Sequence, residues 1–160
     1  MKYTFIKPEE CEGVEAELLA DPNDFEARFK LMIYYAGYRY FDEEGKRKLF
    51  DHLYWLVEHS PEKEELSGGI CNVNPKMDAE YIPRLVELYE KALIDFPNSA
   101  AVHFNVGWFY RSIDDERAEL ILLKSCELAP MDTSYTQRLA QHYRLLADTK
   151  SLENSLSWYE

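Results

Sequence analysis

Apolar residues along this chain fall at steps of three and four, the spacing of a helix with one buried face. In "EEGKRKLFDHLYWLVEHSP" the positions Leu49, Phe50, Leu53, Leu56 and Val57 share a face. In "IPRLVELYEKALIDFP" Leu85, Leu88, Tyr89, Ala92 and Leu93 do the same. "KPEECEGVEAELLADP", "NDFEARFKLMIYYAGYRY", "SAAVHFNVGWFYRS", "DDERAELILLKSCELAP" and "DTSYTQRLAQHYRLLAD" continue the series, and "SLENSLSWYE" predicts one more short helix. Pro8, with acids behind it, marks a helix start, and Asn23 or Asp24 offers a cap after Pro22. Sustained strand alternation is found nowhere. The chain is therefore expected to be all-α.

One stretch breaks the pattern. "EELSGGICNVNPKM", residues 64–77, carries a glycine pair and an Asn-Pro step. Each glycine costs a helix about 1 kcal/mol relative to alanine. The expectation is a short helix capped by Ser60 and stopped at Gly68, then an ordered loop with Ile70, Cys71 and Val73 turned inward. Pro83 belongs in the first turn of the helix that follows, or else kinks it.

The helices also repeat. Pro22, Pro61, Pro97 and Pro130 follow one another at steps of 39, 36 and 33 residues. Before three of them the same spacing recurs: Leu49, Leu53, Leu56, Pro61; then Leu85, Tyr89, Ala92, Pro97; then Ala118, Leu122, Ser125, Pro130. Leu152, Leu156 and Tyr159 begin it again. In this form the chain resembles the tetratricopeptide repeat (TPR), a helical hairpin of about 34 residues with W-x2-L-G-x2-Y on its first helix and A-x3-F, then P, on its second. "HFNVGWFY" is the best match, with His103, Val106, Gly107 and Tyr110 at the four signature places. Thr136, Leu139, Ala140 and Tyr143 match in "TQRLAQHY", and Arg28, Leu31, Met32 and Tyr35 in "RFKLMIYY".

The resemblance implies one domain over residues 1–160, an α–α superhelix of TPR-like antiparallel hairpins. An N-terminal helix at about 8–20 would precede hairpins at about 22–61, 62–97 (degenerate), 98–130 and 131–160. In this family, residues between the packing positions of each first helix face a concave groove. Carried over, these are Asn105, Trp108 and Arg111, then Arg138, Gln141 and Arg144, and in the first hairpin Phe29, Lys30 and Ile33. An Asn, a Trp and three Arg would suit a peptide bearing carboxylates. Some family members clamp a terminal carboxylate with Lys, Asn and Arg. Asn105 and Arg138 match two of those places, but Ser134 stands where the Lys would be, so the clamp is incomplete.

Composition narrows the function. The formal net charge is −12, which repels phosphate backbones and argues against nucleic acid. The longest apolar runs are short of the roughly 20 residues a membrane span needs, and the N-terminus has no signal-peptide core. Three scattered cysteines, Cys11, Cys71 and Cys126, form no CxxC pair and read as reduced thiols of a cytoplasmic protein. GxGxxG, HExxH, GxSxG and Walker patterns are all missing, so neither catalytic residues nor a cofactor nor a metal is expected. His52 and His59, two turns apart, are expected in solvent. The leading expectation is a module that binds a peptide or partner protein in its groove. One alternative is a small acidic antidote protein that neutralises a basic enzyme through its surface charge. Another is an all-helical enzyme with residues 67–77 as a lid. Trp158 and Tyr159 at the last helix suggest a homodimer.

Overall fold

The computed structural model describes residues 6–38 and 41–156, with side chains up to residue 147. Those residues form seven α-helices and no strand: α1 (Pro8–Ala20), α2 (Phe25–Ala36), α3 (Glu43–His59), α4 (Ile82–Asp95), α5 (Ala100–Tyr110), α6 (Asp115–Leu128) and α7 (Thr133–Leu156). Two 3₁₀ turns, Glu64–Ser67 and Gly69–Cys71, lie between α3 and α4.

Acidic and hydroxyl side chains set the helix starts. Asp24 accepts from the Ala27 amide at 3.0 Å, Asp42 from Gly45 at 2.8 Å, Ser99 from Val102 at 3.3 Å and Asp114 from Arg117 at 3.0 Å. Each cap satisfies an amide that has no partner inside its helix. Pro8 and Pro83 occupy first turns, where a missing N–H costs nothing.

The closest helix neighbours are α2 with α3 and α5 with α6, each pair joined by a short connection; α1 lies on α2, α4 on α3 and α5, and α7 on α6. The nine residues of the shared spacing are the contact faces of α3, α4 and α6. Leu49, Leu53, Leu56, Leu85, Tyr89, Ala92, Ala118, Leu122 and Ser125 are all buried. A main core runs from Cys11 on α1 to Ala118 on α6, and a smaller one joins Phe104, Trp108, Leu122 and Leu139.

The hairpin expected over residues 131–160 does not form: α7 runs unbroken from Thr133 to Leu156. The sequence from 147 to 156 contains no proline or glycine to stop it. Without a return helix, Ala140 and Tyr143, two of the signature places, stand exposed. Trp158 and Tyr159, the proposed dimer contacts, lie outside the described residues.

Between α3 and α4 the chain makes no α-helix. Leu66, Cys71 and Val73 are buried in the main core, and Ile70 packs against it. Ser60 ends α3 instead of starting a new helix, and Gly68 closes the first 3₁₀ turn. Farther on, Asn74 accepts from the Lys76 and Met77 amides, and the buried Asp78 accepts from the Asn74 amide at 2.6 Å. The exit is fastened to α3: Lys46 donates to the Met77 carbonyl at 2.5 Å, Tyr54 donates to the Tyr81 carbonyl at 3.0 Å, and Phe50 stacks on Tyr81 at 4.1 Å. The segment is ordered by its own contacts and is not a linker.

Where α1, α2 and α3 meet, polar groups are shared. Tyr35 donates to Glu15 at 2.5 Å, and Lys48 donates to Glu15 at 2.9 Å and to Tyr35 at 3.0 Å. The ring of His52 lies parallel to Tyr35 at 6.0 Å. Burial, with Arg28 nearby, pushes His52 down from 6.5 to about 4. A histidine held neutral by folding stabilises fully above pH ~6.5, and that stability is lost as pH falls toward 4. Urea titrations at pH 7, 6 and 5 are expected to show a progressive loss. The His52 contribution over the whole window is on the order of 3 kcal/mol. His52→Gln should flatten that slope, with a residual from His142, whose pKa burial also lowers. A wild-type curve level from pH 7 to 5 would contradict the assignment.

Candidate functional site

The inherited groove positions do not behave alike once α5, α7 and the 3₁₀ segment pack together. Asn105 is 1% exposed, and its side-chain amide donates to the carbonyls of Pro61 and Lys63, both at 2.8 Å. Its side-chain NH2 is therefore a fastener for the segment after α3, although the residue also borders a cavity between α5 and α7. Phe29 and Ile33 are also corrected: both belong to the main core, which includes Leu66, Cys71 and Val73 from that same segment. Lys30 is half-buried. Phe29 and Ile33 are therefore core residues and do not line an open groove.

What remains open is narrower. Two neighbouring cavities run between α5, α7 and residues 62–69, of about 390 and 210 Å³. The larger has Glu62, Glu64, Phe104, Asp132, Tyr135 and Arg138 in its walls. The smaller has Glu64, Ser67, Gly69, Trp108, Arg138 and Gln141. Glu64 and Arg138 line both, so these two residues mark the junction.

Aromatic rings position the cations. Arg138 lies 5.3 Å from the Phe104 ring and 5.7 Å from Trp108. Arg111 lies 3.8 Å from the same indole, and burial lowers its pKa. Such contacts hold a guanidinium flat while leaving its edge free for hydrogen bonds. Trp108 is 8% exposed, and its ring N–H is buried without a hydrogen-bond partner. Of the six α5 and α7 positions, the structure brings Asn105, Trp108, Arg138 and Gln141 to the cavity walls. Arg111 braces Trp108, Asn105 holds the loop, and Arg144 is exposed on α7 outside both cavities.

The groove's charge also differs from expectation. The larger cavity has three carboxylates, Glu62, Glu64 and Asp132, against one guanidinium, Arg138. A peptide rich in carboxylates does not suit that wall. These acids were visible in "PEKEEL" and "MDTS", but the sequence places them in a first helical turn and a connection. They reach the site because the helix is missing there. Ser134, at the place of the absent clamp lysine, lines the same cavity.

The other sequence candidates are structural. Asp114 is a helix cap, and His103 is buried with Nδ1 2.9 Å from the Ser99 carbonyl. His59 is exposed as expected, stacked on Trp55 at 4.3 Å with Nδ1 2.9 Å from the Trp55 carbonyl, whereas His52, also expected in solvent, is half-buried beside Tyr35. Among the described residues no group of three or more His, Cys, Asp or Glu is placed to hold a metal, and no helix is long and apolar enough to cross a membrane. No protein-family model, curated protein or solved structure matches this chain.

Proposed function

We propose that the chain is an interaction module, a TPR-like array whose groove between α5, α7 and residues 62–69 takes a segment of a partner protein. The carrying observation is the pair of adjoining cavities that meet at Glu64 and Arg138, with aromatic walls and an acidic balance. Such a wall suits a peptide with a basic side chain: carboxylates receive the cation, and Phe104, Trp108 and Tyr135 give flat contact area. Arg138 then fixes register by donating to backbone carbonyls. The buried nine-residue spacing on α3, α4 and α6 supports the repeat reading. On this reading the chain binds and does not catalyse.

The test uses a photo-reactive amino acid at Gln141, which is exposed on the wall, and a second at Leu120, which is 70% exposed on α6. Cross-linking to one partner from position 141 and not from 120 is expected. Glu64→Lys should then weaken that complex by roughly 10-fold, the effect of about 1.4 kcal/mol, and the wild-type affinity should fall with salt. A partner captured only from Leu120, with affinity unchanged by Glu64→Lys, would move the interface to the outer acidic surface.

A further inference from the structure

A separate cavity of about 450 Å³ lies at the other end of the molecule, where α1, α2 and α3 meet. Its volume is typical of small-molecule sites, roughly 300–1,000 Å³. Leu18, Leu19, Pro22 and Leu31 supply an apolar wall. Leu19 is 83% exposed, which places it at the mouth, while Leu31 is fully buried at the base.

The charged groups on the opposite wall differ in how they are engaged. Lys48 is held by Glu15 and Tyr35. Asp51 accepts from Arg47 at 2.7 Å. Arg28 has a carbonyl and not a carboxylate for its partner: Nε and one terminal nitrogen donate to Pro22 at 3.0 and 2.7 Å. The guanidinium carbon sits 4.2 Å from the Trp55 ring, which keeps the plane flat. A guanidinium has five N–H donors in a fixed plane. With one edge turned to Pro22, the two terminal nitrogens still present a fork of the kind that receives a carboxylate. His52 stands beside it as a neutral ring, with Nδ1 buried and without a hydrogen-bond partner.

We propose that this cavity binds a small amphipathic monocarboxylate, its head on the Arg28 fork next to His52 and its chain along Leu18, Leu19, Pro22 and Leu31. Glu15 and Asp51 on the same wall select the head group. A singly charged planar carboxylate can be neutralised by one guanidinium. A dianionic phosphate would need a second free cation, and Lys48, the other cation on this wall, is already held by Glu15 and Tyr35. An uncharged alcohol fills the apolar wall and leaves the fork unanswered.

Octanoate, octanol and octyl phosphate serve as probes, followed by calorimetry and by NMR of the full chain. Octanoate is expected to bind at least 10-fold more tightly than either of the others and to move the His52 ring signals. Arg28→Gln should remove that 10-fold preference and leave octanol binding unchanged. Leu19→Glu, a surface change that leaves the core intact, should weaken octanoate by repulsion at the mouth. The proposal is overturned if millimolar octanoate does not bind, if octanol or octyl phosphate matches it, or if saturating octanoate leaves His52 unmoved.

Discussion

A valine at position 107 is expected to destabilise the protein by about 3 kcal/mol or more, enough to unfold a marginal domain of this size. Gly107 lies where α5 crosses α6. A Cβ there would sit 2.7 Å from Leu122 Cγ, 2.9 Å from its Cδ2 and 3.1 Å from its backbone nitrogen. Leu122 cannot swing aside, because it is 1% exposed and packed among Phe104, Trp108 and Leu139. Alanine isolates the two opposing terms. It gains about 1 kcal/mol of helix propensity and incurs roughly 1–3 kcal/mol of overpacking. Gly107→Ala should therefore be neutral to moderately destabilising, and Gly107→Val severe. Urea denaturation of both variants measures this. An alanine variant more stable than wild type by the full propensity gain would show that α5 and α6 do not approach so closely. The same crossing supports Trp108, so, if the proposed function holds, Gly107→Val should also weaken cross-linking from position 141 at temperatures where it remains folded.

Asn105→Ala is expected to cost roughly 2–4 kcal/mol, because it removes two hydrogen bonds from a buried amide and leaves the Pro61 and Lys63 carbonyls without that partner. Its second signature is local. Amide exchange should accelerate across residues 62–71, while the α5–α6 core keeps most of its protection. Asn105→Asp should be worse at neutral pH, since it turns a carboxylate toward two carbonyl oxygens in a buried place. A loss below about 0.5 kcal/mol for the alanine variant would mean that Leu66, Cys71 and Val73 alone hold the segment.

The helices were legible because their signals are local. Proline and acids mark starts, caps satisfy free amides, and the three-four spacing marks buried faces. Positions as far apart as Leu49 and Ala118, each twelve residues before a proline, were grouped by that shared distance and are both buried. The irregular stretch at 64–77 was legible for the same reason, since its glycines and Asn-Pro step act on the backbone where they stand. The groove was less legible, because a repeat pattern tells which side of a helix faces outward but not what packs there. Asn105 is on the expected side of α5, yet the neighbouring chain presents two carbonyls to it. Phe29 and Ile33, on the expected side of α2, are in the main core. The last hairpin failed differently: its expected turn rested on the period alone, with no residue there to break α7. His52 shared a helix face with His59 in the sequence, and only the packing of α3 on α2, with Tyr35 beside the His52 ring, shows that one of them is shielded.

The two bonds from Asn105 reach back across 44 and 42 residues. The helices that pack most closely, by contrast, are consecutive in the chain: α2 with α3, and α5 with α6. Contacts between chain neighbours close small loops and form early, whereas a distant closure pays its entropy before any reward. Assembly should therefore run from the two hairpins outward, with the 62–71 strap drawn onto α5 after the rate-limiting barrier. A weakened strap would then leave the rate of folding nearly unchanged and appear as faster unfolding. The part of the molecule that shapes the groove would govern how long the native state lasts, and have little influence on how quickly it is reached.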